Sequence, residues 1–141
     1  MTDYLGECHC GAIGYTYSSE AKPADWAIRA CQCRFCRAHD ALSASDPAAT
    51  IAFVASEPDQ LQYYRFGLNT ADFLICRRCG VYIGAAIETP GGRFGIINTH
   101  ALTDPVPDTA NPQPVSYDGE RTEDRVDRRV ERWSPVTGFP G

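Results

Sequence analysis

Seven cysteines fall into three short clusters in this chain of 141 residues. Cys8 and Cys10 form C-x-C, Cys31, Cys33 and Cys36 form C-x-C-x-x-C, and Cys76 and Cys79 form C-x-x-C. Thiolates at such spacing ligate soft metal ions, zinc above all. An odd number excludes complete disulfide pairing, and cysteine is also a good apolar filler, but neither use explains three clusters. The pair Cys76 and Cys79 is followed by Gly80, the mark of a zinc knuckle: two thiolates on a tight turn, closed by a residue free to take a positive φ. A knuckle is half of a tetrahedral site. "CHCG", with Cys8, Cys10 and Gly11, is a second glycine-closed turn and its natural partner. A Cys₄ site of this kind is closed and structural. Cys31, Cys33 and Cys36 are then left over, and three protein ligands with a fourth position free is the pattern of a catalytic zinc. Spacing alone leaves open another partition, in which the middle cluster shares ligands with the knuckle.

A zinc held by three thiolates carries a formal charge of −1, a weaker Lewis acid than a histidine-bound one. Its soft surroundings suit a thiol as fourth ligand, and coordination favours that thiol's deprotonated form. A fourth thiolate would take the site to −2 and calls for cations close by, and Arg34 and Arg37 flank the cluster. His39, three residues beyond Cys36, is the nearest group with a pKa suited to moving a proton near neutrality. Arg34, Arg37 and His39 are equally readable as solvated surface residues. His9 and the pair Arg77 and Arg78, inside the two turns, are expected to face outward.

These ligands need elements to carry them. "YLGECHCGAIGYTYSS" reads as a strand pair around the first turn, "ADWAIRACQC" as a strand entering the middle cluster, and "RFCRAHDALSAS" as a short helix. "TIAFVAS" and "LQYYRF" read as strands, "ADFLICRRCGVYIGAAIE" as two strands joined by the knuckle, and "RFGIINTHAL" as a further strand after a "TPGG" turn. From Thr103 the chain changes character: "TDPVPDTANPQPVSYDGE" carries four prolines and reads as an irregular wrapping segment. The final stretch, "GERTEDRVDRRVERW", reads as a helix with Val126, Val130 and Trp133 as its buried stripe and an Asp124–Arg128 pair at i, i+4. The expected division is a zinc-binding β domain over residues 1–105, with residues 106–141 (proline-rich segment and helix) packed on it.

The net charge of −5 argues against nucleic acid as a partner. No apolar run approaches the ~20 residues of a membrane span. "MTDYLGEC" has no basic start followed by an apolar stretch, so the expectation is a reducing, cytoplasmic location. Apolar edges and the C-terminal helix leave room for a homodimer.

The motifs "GECHCGAIGY", "CQCRFCR" and "FLICRRCG", in this order, resemble those of the GFA family, named for glutathione-dependent formaldehyde-activating enzymes and including relatives of centromere protein V. The resemblance covers about residues 5–105 and uses all seven cysteines. It implies a mainly β fold of small, strongly bent antiparallel sheets anchored by a Cys₄ zinc site. It assigns Cys8, Cys10, Cys76 and Cys79 to the structural zinc and Cys31, Cys33 and Cys36 to a second, catalytic and more labile one, two zinc ions per chain. The implied activity is that of a carbon–sulfur lyase or synthase working on adducts of glutathione with a small aldehyde, with Arg34 and Arg37 as candidates for holding glutathione carboxylates. The alternative is a non-catalytic zinc module that binds a protein partner or carries glutathione. The chain departs from the family pattern after the middle motif, where Asp40 and Ala41 stand in place of a usual glycine, and near residue 110, where an expected histidine is missing.

Overall fold

The computed structural model describes residues 1–103 and 111–140. The residues the sequence marks as strands, joined by three short strands it does not mark, pair into one open, branched sheet of eleven strands among those described. Strands β1 (Thr2–Glu7) and β2 (Ile13–Ser19) form the first hairpin, and β2 continues onto β5 (Thr50–Ala55). Strands β6 (Leu61–Tyr64), β7 (Asp72–Cys76), β8 (Tyr82–Thr89) and β9 (Gly92–Asn98) make an antiparallel meander. Between these blocks lie β3 (Arg29–Cys31), the short helix α1 (Arg34–His39) and β4 (Ser43–Ala44). The expected strand "ADWAIRACQC" shortens to β3, because Pro23–Asp25 turns as a 3₁₀ helix first.

Strand β9 is where the sheet divides. One edge pairs with β8; the other is shared, with Gly95 opposite Ser134 and Asn98 opposite Ser43. The partner at Ser134 is β11 (Ser134–Gly138), which lies between β5 and β9, parallel to the former and antiparallel to the latter. "SPVTG" carries a proline and a glycine and gives no alternating pattern, so this strand has no local signature; its pairing is supplied by two neighbours far away in sequence. β10 (Gln113–Val115) adds in parallel to β3. It is a three-residue strand within the segment expected to be irregular; residues 104–110 of that segment lie outside the described residues.

The main core lies between the first hairpin and the meander, with Ile13, Tyr15, Ile51, Phe53, Ile83 and Ile97 buried together. Phe53 crosses β8 and β9 at Gly84 and Gly95; a Cβ on Gly84 would stand 2.5 Å from the Ile96 carbonyl oxygen and 3.0 Å from the Phe53 ring. Both faces of β9 are covered. Ile97 faces the main core, and Ile96 on the other side packs in a cluster with Ile87 and Trp133. Burying an apolar side chain of this size contributes about 1.5–3 kcal/mol, so Trp133 is an effective anchor for the C-terminal segment.

Trp133 follows α2 (Thr122–Arg132), the helix the sequence predicts, but the face of α2 that packs is not the predicted one. Val130 is 39% exposed while Arg129 is 8% exposed. Of the expected stripe, Trp133 is buried and Val126 half-buried, while Val130 is corrected to an exposed position and Arg125, Arg128 and Arg129 join the packed face. The expected Asp124–Arg128 pair is corrected too. Asp124 bonds Arg121 at 3.2 Å, and Arg128 bonds Glu120 at 2.8 Å. Glu120 also takes Arg125 at 3.1 Å, and a carboxylate serving two guanidiniums outcompetes a single exposed i, i+4 pair. None of the described helices is long and apolar enough to cross a membrane.

Candidate functional site

The two glycine-closed turns are near copies of each other. Cys8 N–H donates to the Ile13 carbonyl and Cys76 N–H to the Val81 carbonyl, while Gly11 and Gly80 return their N–H groups to the carbonyls of Cys8 and Cys76. Both glycines hold positive φ, +81° and +79°. Backbone N–H groups of Ile13 and Cys79 point at the sulfurs of Cys8 and Cys76, at 3.4 and 3.5 Å. The turns face each other: Cys10 Sγ lies 3.7 Å from Cys8 Sγ and 3.6 Å from Cys76 Sγ, and all four sulfurs lie within 4.8 Å of one another. A zinc–sulfur bond of about 2.3 Å gives a tetrahedron whose edge is about 3.8 Å. The donor set therefore fits zinc in number, type and spacing. Arg78 sits beside it, 3.9 Å from Cys10 Sγ and in a bidentate pair with Glu57 at 2.7 Å; His9, Arg77 and Arg78 are exposed as expected.

The middle cluster forms where β3 gives way to α1. Cys31 ends the strand, Cys33 is the N-cap of the helix with its sulfur accepting from Cys36 N–H at 3.4 Å, and Cys36 lies buried one turn in. Their three sulfurs are within 4.8 Å of one another and separate from the Cys₄ group. Thiolates this close compete for charge. Hydrogen bonds from Cys31 and Cys36 hold the Cys33 thiol far below its usual range, and contacts with Cys31 and Cys33 push Cys36 far above it. A dication resolves that competition by taking all three as thiolates, so this donor set too fits a metal such as zinc.

This second group opens into a cavity of about 320 Å³, and the Cys₄ group does not line it. Phe35, Phe66, Phe73, Tyr82, Ile96 and Trp133 give the cavity an apolar wall. Phe35 is the hub, with ring centroids 4.9 Å from both Phe66 and Phe73 and 5.1 Å from Tyr82. Tyr82 is fully buried, and burial followed by the charges of the three cysteines holds its hydroxyl well above the ordinary phenol range, as a neutral donor. The same lining carries five cations, Arg29, Arg34, Arg125, Arg128 and Arg129.

Of the non-cysteine residues singled out in the sequence, Arg34 lines the cavity; Arg37 and His39 are exposed and outside its lining. The His39 ring lies over Phe35 at 4.3 Å, and its Nδ1 is 3.0 Å from the Phe35 carbonyl oxygen. A carbonyl only accepts, so Nδ1 carries the proton and Nε2 is the basic nitrogen. His100 approaches Asp40 at 3.9 Å. Asp40 itself caps α1 at φ +49°, ψ +40°, the left-handed conformation that glycine adopts most freely. Arg29, Tyr82 and Arg129 had no signal in the sequence, and Trp133 had one only as a packing residue, since each reaches the cavity from an element whose docking no local pattern describes.

The family model described as glutathione-dependent formaldehyde-activating enzyme (GFA) matches residues 3–118. The chain belongs to the GFA family. The family name implies an enzyme that uses glutathione and an aldehyde, and two cysteine groups able to bind metal accord with it. No curated protein matches this GFA chain in sequence. Its fold is similar to the crystal structure of a Rhodobacter sphaeroides protein, 27% identical over 77% of this chain and 99% of that one, with a TM-score of 0.55. Helix α2 and strand β11 lie beyond the residues matched to the family.

Proposed function

We propose that this GFA protein is a zinc-dependent carbon–sulfur lyase or synthase acting on adducts of glutathione with an aldehyde. The observation that carries the reading is the placement of Cys31, Cys33 and Cys36 in the wall of a cavity, apart from a closed group of four. A zinc ion on these three thiolates supplies a soft fourth position that suits a thiol and favours its thiolate form. Cys8, Cys10, Cys76 and Cys79 have the structural role, tying the first hairpin to the meander.

The chemistry balances simply. In the synthetic direction the thiol sulfur adds to the aldehyde carbon, one C–S bond forms, and the carbonyl π pair becomes an oxyanion that takes a proton to give the hemithioacetal. The reverse returns that proton to a base and breaks the same bond. The aromatic wall around Phe35 excludes water from the reacting centre. His39, stacked on Phe35 and outside the cavity lining, is the candidate for proton exchange, and Arg34 is a cation at the cavity wall for a charged substrate; Arg37 stands outside it.

The test is exchange between free and adduct forms, followed by NMR line broadening, for glutathione with a panel of aldehydes and catalytic amounts of zinc-loaded protein. Acceleration lost in Cys33→Ser with the fold retained is the expected result. Binding of glutathione without acceleration for any aldehyde would instead describe a module that carries the thiol.

A further inference from the structure

Five arginines line a single cavity in a chain whose net charge is −5, and Asp118 is the one carboxylate in the same lining among the described residues. Glu120 neutralises two of them, taking Arg125 and Arg128 together, and Arg128 also lies flat over Tyr117 at 3.5 Å. Arg34 is exposed to solvent. Arg29 and Arg129 remain.

Neither Arg29 nor Arg129 forms an ion pair among the described residues, although Arg129 is 8% exposed. Arg129 donates from Nη1 to Thr70 Oγ1 at 2.6 Å and places its guanidinium 4.8 Å from the Trp133 ring centroid. Arg29 donates from Nη2 to Ser45 Oγ. The Nε atoms of both are buried without a hydrogen-bond partner. A guanidinium cannot shed its proton to escape burial, so taking it from water without an anion costs several kcal/mol unless a ligand brings one. Both side chains line the cavity and are held in place, Arg129 by Thr70 and the Trp133 ring and Arg29 by Ser45, so that little ordering is left for a ligand to impose.

We propose that Arg29 and Arg129 form a carboxylate subsite facing the Cys31–Cys33–Cys36 group, so that the substrate of this protein is an acidic adduct. The proposal rests on the thiol–aldehyde reading of the cavity and adds the charge of what enters it. A carboxylate reaches the subsite from either half of such an adduct: from the thiol, since glutathione carries two, or from an acidic aldehyde. Arg29 lies within the residues matched to the family, and Arg129 stands on α2 beyond them.

The experiment is equilibrium binding to the zinc-loaded full chain, by calorimetry or by the fluorescence of Trp133, using two unreactive thioethers and their esters. S-methylglutathione carries its carboxylates on the thiol half; (ethylthio)acetate carries its carboxylate on the carbon that stands for the aldehyde. Esterifying at least one probe is expected to weaken binding by at least about tenfold, and the probe that responds names the half that is read. In Arg129→Gln this acid–ester gap is expected to close while zinc per chain stays at the wild-type value. Equal affinity of acid and ester for both probes would overturn the proposal, as would a gap that Arg129→Gln leaves intact. Zinc loss in Arg129→Gln with no acid–ester gap in wild type would show the arginine to be a counter-charge for the thiolates only, again overturning it. Should that variant not fold, Arg129→Lys keeps the charge and loses the fork, and an unchanged gap there counts against the subsite equally. Turnover with no acid–ester gap defeats the subsite alone; a gap without turnover defeats the lyase reading alone.

Discussion

The sulfur of Cys10 stands 3.6 Å from that of Cys76, 66 residues further along the chain. This contact joins two turns whose backbones are otherwise held by their own strands, and on the proposed zinc reading a bound metal gives it its energetic weight. Structural zinc contributes roughly 10–16 kcal/mol in apparent binding, against a domain stability of ~5–15 kcal/mol. Cys76→Ser, or a chelator strong enough to strip zinc, is expected to lower the melting temperature by at least about 10 °C or to abolish the cooperative transition. Circular dichroism with parallel metal analysis checks it. An unchanged melting curve after metal loss would show that the four sulfurs carry no folding energy.

Cys33→Ser is expected to behave in the opposite way. The residue caps α1 through its side chain, and serine is a better N-cap than cysteine, so the helix start is preserved. Metal content should fall from two ions per chain to one, with the melting temperature within a few degrees of wild type. Loss of both ions, or of the fold, would mean that the two cysteine groups are not independent.

Asp40 occupies the left-handed region at the end of α1, where glycine pays no steric penalty. Asp40→Gly is expected to stabilise the chain by about 0.5–1 kcal/mol, less whatever the 3.9 Å approach of His100 contributes. Asp40→Val, with a β-branched side chain at positive φ, is expected to cost about 1–3 kcal/mol. Urea denaturation distinguishes the three chains, and destabilisation by glycine would refute the conformational argument.

Burial raises the Tyr17 phenol to about 12, with the charge of Asp46 acting in the same direction. A folded-state value above the unfolded one means that the native state keeps a proton the unfolded chain releases. The stabilisation is therefore complete below about pH 10, the ordinary phenol value, and is lost as pH rises toward 12. Over that range the group accounts for roughly 2–3 kcal/mol of falling stability. Tyr17→Phe is expected to flatten the decline measured by urea unfolding between pH 9 and 11. A slope identical to wild type would show that Tyr17 does not titrate with unfolding.

The ligand clusters were legible because metal spacing is local: C-x-C and C-x-x-C, each closed by glycine, describe a turn wherever it lies. The strands of the meander were legible for a similar reason, since "FLICRRCGVYIG" carries strand residues and turn in one window. Helix α2 was legible as a helix and misread as a surface. Its period is local, but which face is buried depends on what it docks against, and here Arg129 rather than Val130 goes inside. Strand β11 was invisible, because Pro135 and Gly138 break every strand pattern and only β5 and β9 make it one.

The sequence by itself therefore determined the donors: seven thiols in three clusters, two of the clusters on turns that their own glycines shape; the division into four and three is fixed by which sulfurs the fold brings together. Tertiary structure alone decided what the three face. Covering the second side of β9 with Trp133 brings α2 to the cavity that the middle cluster lines, and the helix contributes arginines to it. Coordination chemistry is written in neighbouring residues, whereas the charge and size of a cavity are set by elements that meet across the fold.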